Sequence, residues 1–250
     1  MFRKKAPANH RRDHLPRSIM SNKSLLNADF EEANLWQADF RGAKLNGANF
    51  HGANLHSANF YGADLTEANL EYADCTGALF HGAILTRAQF TNCVVYGARF
   101  DEAVLAETDL TWVNTRGCSF FHADLRGANL ADKWLVGNNF GGAILEGANL
   151  QDCQIFHSTF CYANLVGVNL RGAVIIETEM SFADLRRADL TKATLTTIRG
   201  KYRNIMGADL QGSNLEDATM PDGTIFDRSR HSLDRLFCLQ IIDPSPNETH

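Results

Sequence analysis

Phenylalanine recurs at a fixed interval of twenty residues in this chain, at Phe40, Phe60, Phe80, Phe100, Phe120, Phe140 and Phe160. Between them every fifth residue is apolar. Of the 40 positions from 30 to 225 whose numbers end in 0 or 5, 20 are Leu, 10 Phe, 4 Ile, 2 Met and 1 Val; only Cys75, Thr115 and Gly200 depart. A period of five fits neither the 3.6 of an α-helix nor the 2 of a strand. It requires a backbone that turns every five residues. Two positions before each apolar centre, 26 of 40 residues are Ala; one before, 22 are Asn or Asp; two after stand 16 of the 19 glycines. Centre and small residue share parity and point inward along a short extended segment, while Asn or Asp points out. Gly and Asn/Asp then tolerate the dihedrals of a tight turn.

The longer period sets the size of a coil. Columns of like residues at intervals of twenty, such as Leu45, Leu65, Leu85, Leu105 and Leu125, imply four pentads per turn, with residue n stacked on n+20. At the inter-strand spacing of roughly 4.8 Å, forty pentads form about ten coils and a rod on the order of 48 Å long. Repetition of this kind is the mark of a solenoid. The motif A-[D/N]-[L/F]-x-G, undiluted in ANLWQADFRGAKLNGANFHGANL, resembles the pentapeptide-repeat family over residues 25–225, and MPDGTIFD at 220–227 is similar to the ending of several cyanobacterial members. The resemblance implies an all-β fold, a right-handed quadrilateral parallel β-helix. Residues 1–24 are then expected as a basic N-terminal arm, disordered or capping, 25–227 as the solenoid, and 228–250 as a cap helix with a flexible tail. That helix is expected over His231–Gln240, with Ser232 as its N-cap and Leu233, Leu236 and Phe237 along one side.

Residues 1–25 carry seven Lys/Arg against one Asp, without an apolar run. That excludes a secretory signal, though a basic, acid-poor arm also suits an organelle transit peptide. No segment has the ~18 apolar residues of a membrane span. Cys75, Cys93, Cys118 and Cys153 occupy inward columns as small hydrophobes. Cys93 and Cys153 share a column three coils apart, roughly 14 Å at the strand spacing, beyond the ~7 Å Cα limit of a disulfide. A reducing, cytoplasmic location is expected.

No catalytic constellation emerges: HExxH, CxxC and a phosphate loop are missing, and His51, His56 and His81 fall at solvent positions. The recurrent Asp before each centre reads as a turn residue rather than one of a catalytic pair. The expectation is a protein that is no enzyme, with no cofactor and no small-molecule substrate. Three places break the inner columns: Thr115, the pair Lys133 and Asn138, and the stretch TTIRGKYRNI at 196–205. A buried unpaired Lys is costly. A bulge is therefore expected to release Lys133 and displace Trp134. An irregular loop is expected at 196–205, with the coil resuming by Ile205.

Sorting the surface by pentad distinguishes the faces. Residues 26–225 hold 24 acids and 14 bases. One face gathers nine acids, Asp29, Glu31, Glu32, Glu71, Asp109, Asp132, Asp152, Asp189 and Asp209, against Arg171 and Lys192, a net of −7. The next face carries outward apolar residues: Trp36, Val94, Tyr96, Trp134, Val136, Phe156, Val174 and Ile176. A cluster of this kind suggests a contact surface. The chain is thus expected to be a non-enzymatic interaction scaffold or regulator for a partner protein, a basic one if the acidic face takes part. Monomer and dimer through the C-terminal end remain alternatives. The resemblance also offers a DNA-mimicking inhibitor or protector of a topoisomerase (gyrase). B-DNA carries about 28 charges over 48 Å, so the −7 face is a sparse mimic. The same acidity disfavours nucleic-acid binding by the body.

Overall fold

A computed structural model describes residues 7–195, 198–199, 204–205, 208 and 210–227. Parallel bridges join residues twenty apart, from Asn9 with Asp29 to Val174 with Thr194. The molecule is a β-solenoid, and among the described residues it contains no helix. Each pentad contributes one extended residue pair and one corner. At a corner the amide three residues after the centre returns to the centre's carbonyl, as Ala48 does to Leu45 at 2.9 Å. The residue two after the centre then takes a left-handed backbone. Gly47, with φ of +64°, does so without strain, but Tyr162 and Phe182 hold +59° and +60° at equivalent corners. The Asn or Asp before each centre accepts the amide two residues on, as Asp109 does from Thr111 at 3.0 Å and Asn49 from His51 at 3.1 Å. These recurrent carboxylates and amides are turn locks.

Inside, the phenylalanines stack. Rings of Phe40 and Phe60 lie 5.0 Å apart and Phe80 and Phe100 4.8 Å, nearly parallel in both pairs. A second, shorter ladder, Phe30 on Phe50 at 5.0 Å, meets the first edge-on, with Phe30 and Phe40 at 5.7 Å. The ten phenylalanines at centre positions, these and Phe90, are all fully buried. Two ring columns leave room for little more than a methyl at the neighbouring inward position, which explains the Ala column.

The solenoid begins earlier than residue 25. Asn9, His14, Ile19 and Ser24 already bridge to the next coil, so residues 8–24 form a coil and not a separate arm. His10 occupies a centre and stacks on Phe30 at 5.2 Å, closing that end of the ladder with a polar ring.

Beyond Leu195 the register changes. Asp184 pairs with Asn214 and Asp189 with Thr219, thirty residues apart instead of twenty. The amide of Ala208 reaches the Leu195 carbonyl at 3.3 Å, the bond a residue three after the centre would ordinarily make. Ten residues are therefore inserted before Ala208, and Ile198–Arg199 and Asn204–Ile205 pair antiparallel within them. The coil does not resume by Ile205: Leu185 lies below Leu215, whose neighbour Asn214 accepts the Leu185 amide at 2.7 Å. The last coil folds back on itself, with Thr219 paired antiparallel to Ile225 and Phe226 packed on the core. The expected helix His231–Gln240 lies outside the described residues.

Leu125 is completely buried in mid-rod. Leu125→Ala should lower the unfolding free energy by about 2–5 kcal/mol, measured by urea denaturation. Leu125→Asp should abolish the cooperative transition and the β-type circular dichroism signal.

Candidate functional site

Three coils on the face that starts at Leu35 differ from the rest. Here β1 (Trp134–Val136), β2 (Gln154–Phe156) and β3 (Val174–Ile176) form a parallel sheet in which Trp134, Leu135 and Val136 stand over Gln154, Ile155 and Phe156. In the other regular coils of the described residues only one residue per pentad bridges. The cause is an inward column that turns polar. Ser158 Oγ donates to the Leu135 carbonyl at 3.1 Å, Thr178 Oγ1 to that of Ile155 at 3.4 Å, and Asn138 Nδ2 to that of Thr115. The Asn138 amide donates to Ser158 Oγ at 3.1 Å and not to a corner carbonyl. The tight turn opens into a bend, and Val136, Phe156 and Ile176 suit the extended backbone that results.

Lys133 precedes β1 and was expected to escape through a bulge. It stays inside, 6% exposed, and its ammonium donates to the carbonyls of Leu110 at 2.8 Å and Thr111 at 3.0 Å. Trp134 accordingly keeps its register and points outward, 68% exposed. Burial lowers the Lys133 ammonium from the usual 10.5 to about 8.

Of the expected apolar surface, Val94, Tyr96 and Trp134 are exposed, while Val136, Phe156 and Val174 are half-buried. Trp134 and Phe156 approach with ring centroids 6.0 Å apart. Ile176 is only 7% exposed and belongs to the core's edge. Trp36 is separate, three coils below Val94, and the guanidinium of Arg17 covers its ring at 4.6 Å. Between the exposed side chains runs a shallow groove of about 480 Å³, lined by Asn114, Arg116, Trp134, Val136, Phe156 and His157. Arg116, twenty residues before Val136, belongs to this face by the repeat, although neither the apolar set nor the acidic set read from the sequence contains it. Trp112, 72% exposed, stands at a corner of the acidic face, outside the apolar set.

The acidic face is weaker than its composition suggests. Asp29, Glu31, Glu32, Glu71, Asp109, Asp132, Asp152 and Asp189 share it. The first coil adds Arg11 and Arg12, which pair with Glu31 at 2.7 Å and Glu32 at 2.6 Å. Arg171 pairs with Asp189 at 3.1 Å. After the insertion the pentad of Met220 continues this face, bringing Asp222, whereas Asp209 lies outside the described residues. Nine acids now oppose four bases, a net of −5. Among the described residues no cluster of three or more His, Cys, Asp or Glu could hold a metal ion, and no helix is long and apolar enough to cross a membrane.

The repeat geometry agrees with a family model, pentapeptide repeats in 8 copies, which matches overlapping segments spanning residues 24–191. The chain belongs to the pentapeptide repeat family. Among solved structures it is similar to HetL, a pentapeptide repeat protein involved in heterocyst differentiation regulation from a cyanobacterium of the genus Nostoc. The two are 27% identical, with a TM-score of 0.55, and the match covers 87% of this chain and 92% of HetL. It is also similar to QnrB1, a plasmid-mediated fluoroquinolone resistance protein, at 22% identity, a TM-score of 0.41 and coverage of 84% and 90%. No curated protein matches the chain. The family is generally one of non-enzymatic interaction scaffolds.

The buried lysine gives a test of the inner column. Below pH 8 Lys133 is protonated in both states. Between about 8 and 10.5 the unfolded chain binds more protons than the folded one, so this group makes stability rise with pH. Lys133→Met should remove that rise. From pH 7.5 to pH 10 the wild type should gain about 2–3 kcal/mol relative to the variant, read by urea denaturation at both pH values. A constant difference would show that the ammonium is not held as described.

Proposed function

We propose that this protein is a non-enzymatic scaffold or regulator that binds a partner protein through the apolar face around Trp134 and Phe156. The observation that carries the reading is the three-stranded parallel sheet of β1, β2 and β3, which holds the exposed Trp134 and the half-buried Phe156 on a stiff support in mid-rod. Aromatic anchors dominate interface energetics, and a pre-formed surface avoids the ordering cost of binding. The likeness to HetL, a protein of differentiation regulation, is in keeping with it. A cytoplasmic location, a monomer or a dimer through the C-terminal end, and a right-handed sense of about ten coils with a helical cap complete the proposal; the hand follows the resemblance to the family and the coil number the length of the repeat.

With a partner in hand, Trp134→Ala and Phe156→Ala should each weaken binding by at least about 1 kcal/mol while leaving the melting curve intact. Tyr61→Ala, on another face, should do little. If affinity is indifferent to both aromatic substitutions, the face is not the contact.

The alternative is a DNA-mimicking topoisomerase inhibitor or protector, and the charge argues against it. A net of −5 on the acidic face compares with about 28 charges on an equal length of B-DNA, and arginines already pair three of its carboxylates. At low micromolar concentration the protein should neither inhibit gyrase supercoiling nor relieve quinolone poisoning; robust activity in either assay would reverse the ranking.

A further inference from the structure

The identity of the contact face, as just proposed, leaves open the chemistry of what it contacts. Two columns run along that face. One reads Tyr96, Arg116, Val136, Phe156 and Ile176, the other Val94, Asn114, Trp134, Gln154 and Val174. Arg116 is the one cation in this strip of ten residues. Tyr96, 52% exposed, lies on one side of it, and Trp134 and Phe156 on the other.

Most arginines of the described rod hold a carboxylate; Arg116, like Arg17 and Arg187, does not. Arg41 is tied to Asp39 at 2.7 Å, Arg99 to Asp101 at 2.8 Å, Arg126 to Asp124 at 2.6 Å and Arg186 to Asp184 at 2.6 Å. These partners sit two residues before or after the arginine, but the residue two before Arg116 is Asn114 and the residue two after is Cys118. Asn114 Oδ1 accepts the Arg116 amide at 3.2 Å, which locks the corner without engaging the guanidinium. The coils above and below place Val136 and Tyr96 in the same column, so no carboxylate arrives from there. At the other end of the groove Glu177 already holds His157 at 2.7 Å. Asp132 and Asp152 stand beyond Trp134, at the corner shared with the acidic face. Among the described residues Arg116 has no ion pair.

A guanidinium in a groove with Trp and Phe, and with Tyr in the next coil of its column, is the composition found at interface hot spots. A carboxylate brought to it is met by two parallel N–H groups, and the apolar rim that closes around the pair strengthens those bonds. A lysine or arginine in the same place would be repelled. We propose that the groove receives a protein segment in which one carboxylate is flanked by apolar side chains, the carboxylate on Arg116 and the apolar groups on Tyr96 and on the Trp134–Phe156 pair. The coil spacing puts Tyr96 about 5 Å from Arg116 along the rod and Phe156 about 10 Å the other way. Same-side residues of an extended segment repeat at about 7 Å, so the flanking apolar residues belong two positions before and after the acid. This reverses the basic partner expected from the acidic face.

The test is a selection of random twelve-residue peptides, displayed on phage, on the immobilised full-length chain. Parallel selections use Arg116→Glu and Trp134→Ala, with melting curves to show that both variants fold. The wild type should enrich peptides with Asp or Glu two residues from an aromatic or aliphatic residue. A synthetic peptide from that pool should lose at least about tenfold in affinity on Arg116→Glu, and Arg116→Lys should recover part of it. Enrichment of Lys or Arg, or no enrichment at all, would overturn the proposal. Peptides that need Trp134 but ignore Arg116→Glu would also overturn it while leaving the contact face standing. Peptides indifferent to both variants would remove the face as well.

Discussion

One hydrogen-bond register, residue n on residue n+20, supports everything else in this molecule. Each pentad sends amides both ways along the rod, as Phe40 does to the Asn59 carbonyl at 2.7 Å and Asp39 to that of Ser18 at 2.9 Å. For coils to stack this closely each must be nearly flat, which forces a sharp corner every five residues and a left-handed residue at each corner. Twenty-three residues other than glycine accept that backbone in the described chain, so the ladder and the core outweigh a local cost that for an L-residue is about 1 kcal/mol or more.

The same register decides what a polar side chain can do inside. An inward side chain two before a centre lies opposite the carbonyl 23 residues earlier. Cys118 meets that of Val95 at 3.0 Å, Cys153 that of Leu130 at 2.9 Å, and Lys133 that of Leu110 at 2.8 Å. Asn138, Ser158 and Thr178 follow the same rule. Ser213 does so across the insertion, reaching the Met180 carbonyl 33 residues back at 2.7 Å. The narrow core thus has a ready acceptor for a donor standing two before a centre, whereas the Thr115 hydroxyl, at a centre, and Asn138 Oδ1 find no partner among the described residues.

This inner chemistry reaches the surface. Where Asn138, Ser158 and Thr178 succeed one another, the corner relaxes and a three-stranded sheet replaces isolated bridges. The exposed Trp134, the groove beside it and the unpaired Arg116 lie on or next to that sheet. A solenoid displays residues in columns, so a partner reads strips parallel to the axis. The strip with aromatic groups and a single unsatisfied cation is better suited to a specific contact than the diffuse acidic face, whose charges the first coil and Arg171 partly neutralise.

The period of five and the period of twenty were legible in the sequence because they report backbone geometry, which every coil repeats. Hence the phenylalanine ladder, the alanine column, the Asn/Asp turn locks and the outward direction of Trp134 could be read in advance. The first coil was obscured by its basic charge, although His10, Leu15, Met20 and Leu25 stand in phase. The insertion was hidden because ten residues are two whole pentads: the apolar phase survives while the stacking partner changes from 20 to 30 residues away. Only the tertiary structure could place the Lys133 ammonium or leave Arg116 without a carboxylate. The sequence determined which residues face in and which face out. The fold decided which group from another coil meets each of them, because a group such as the Lys133 ammonium is held by carbonyls more than twenty residues away.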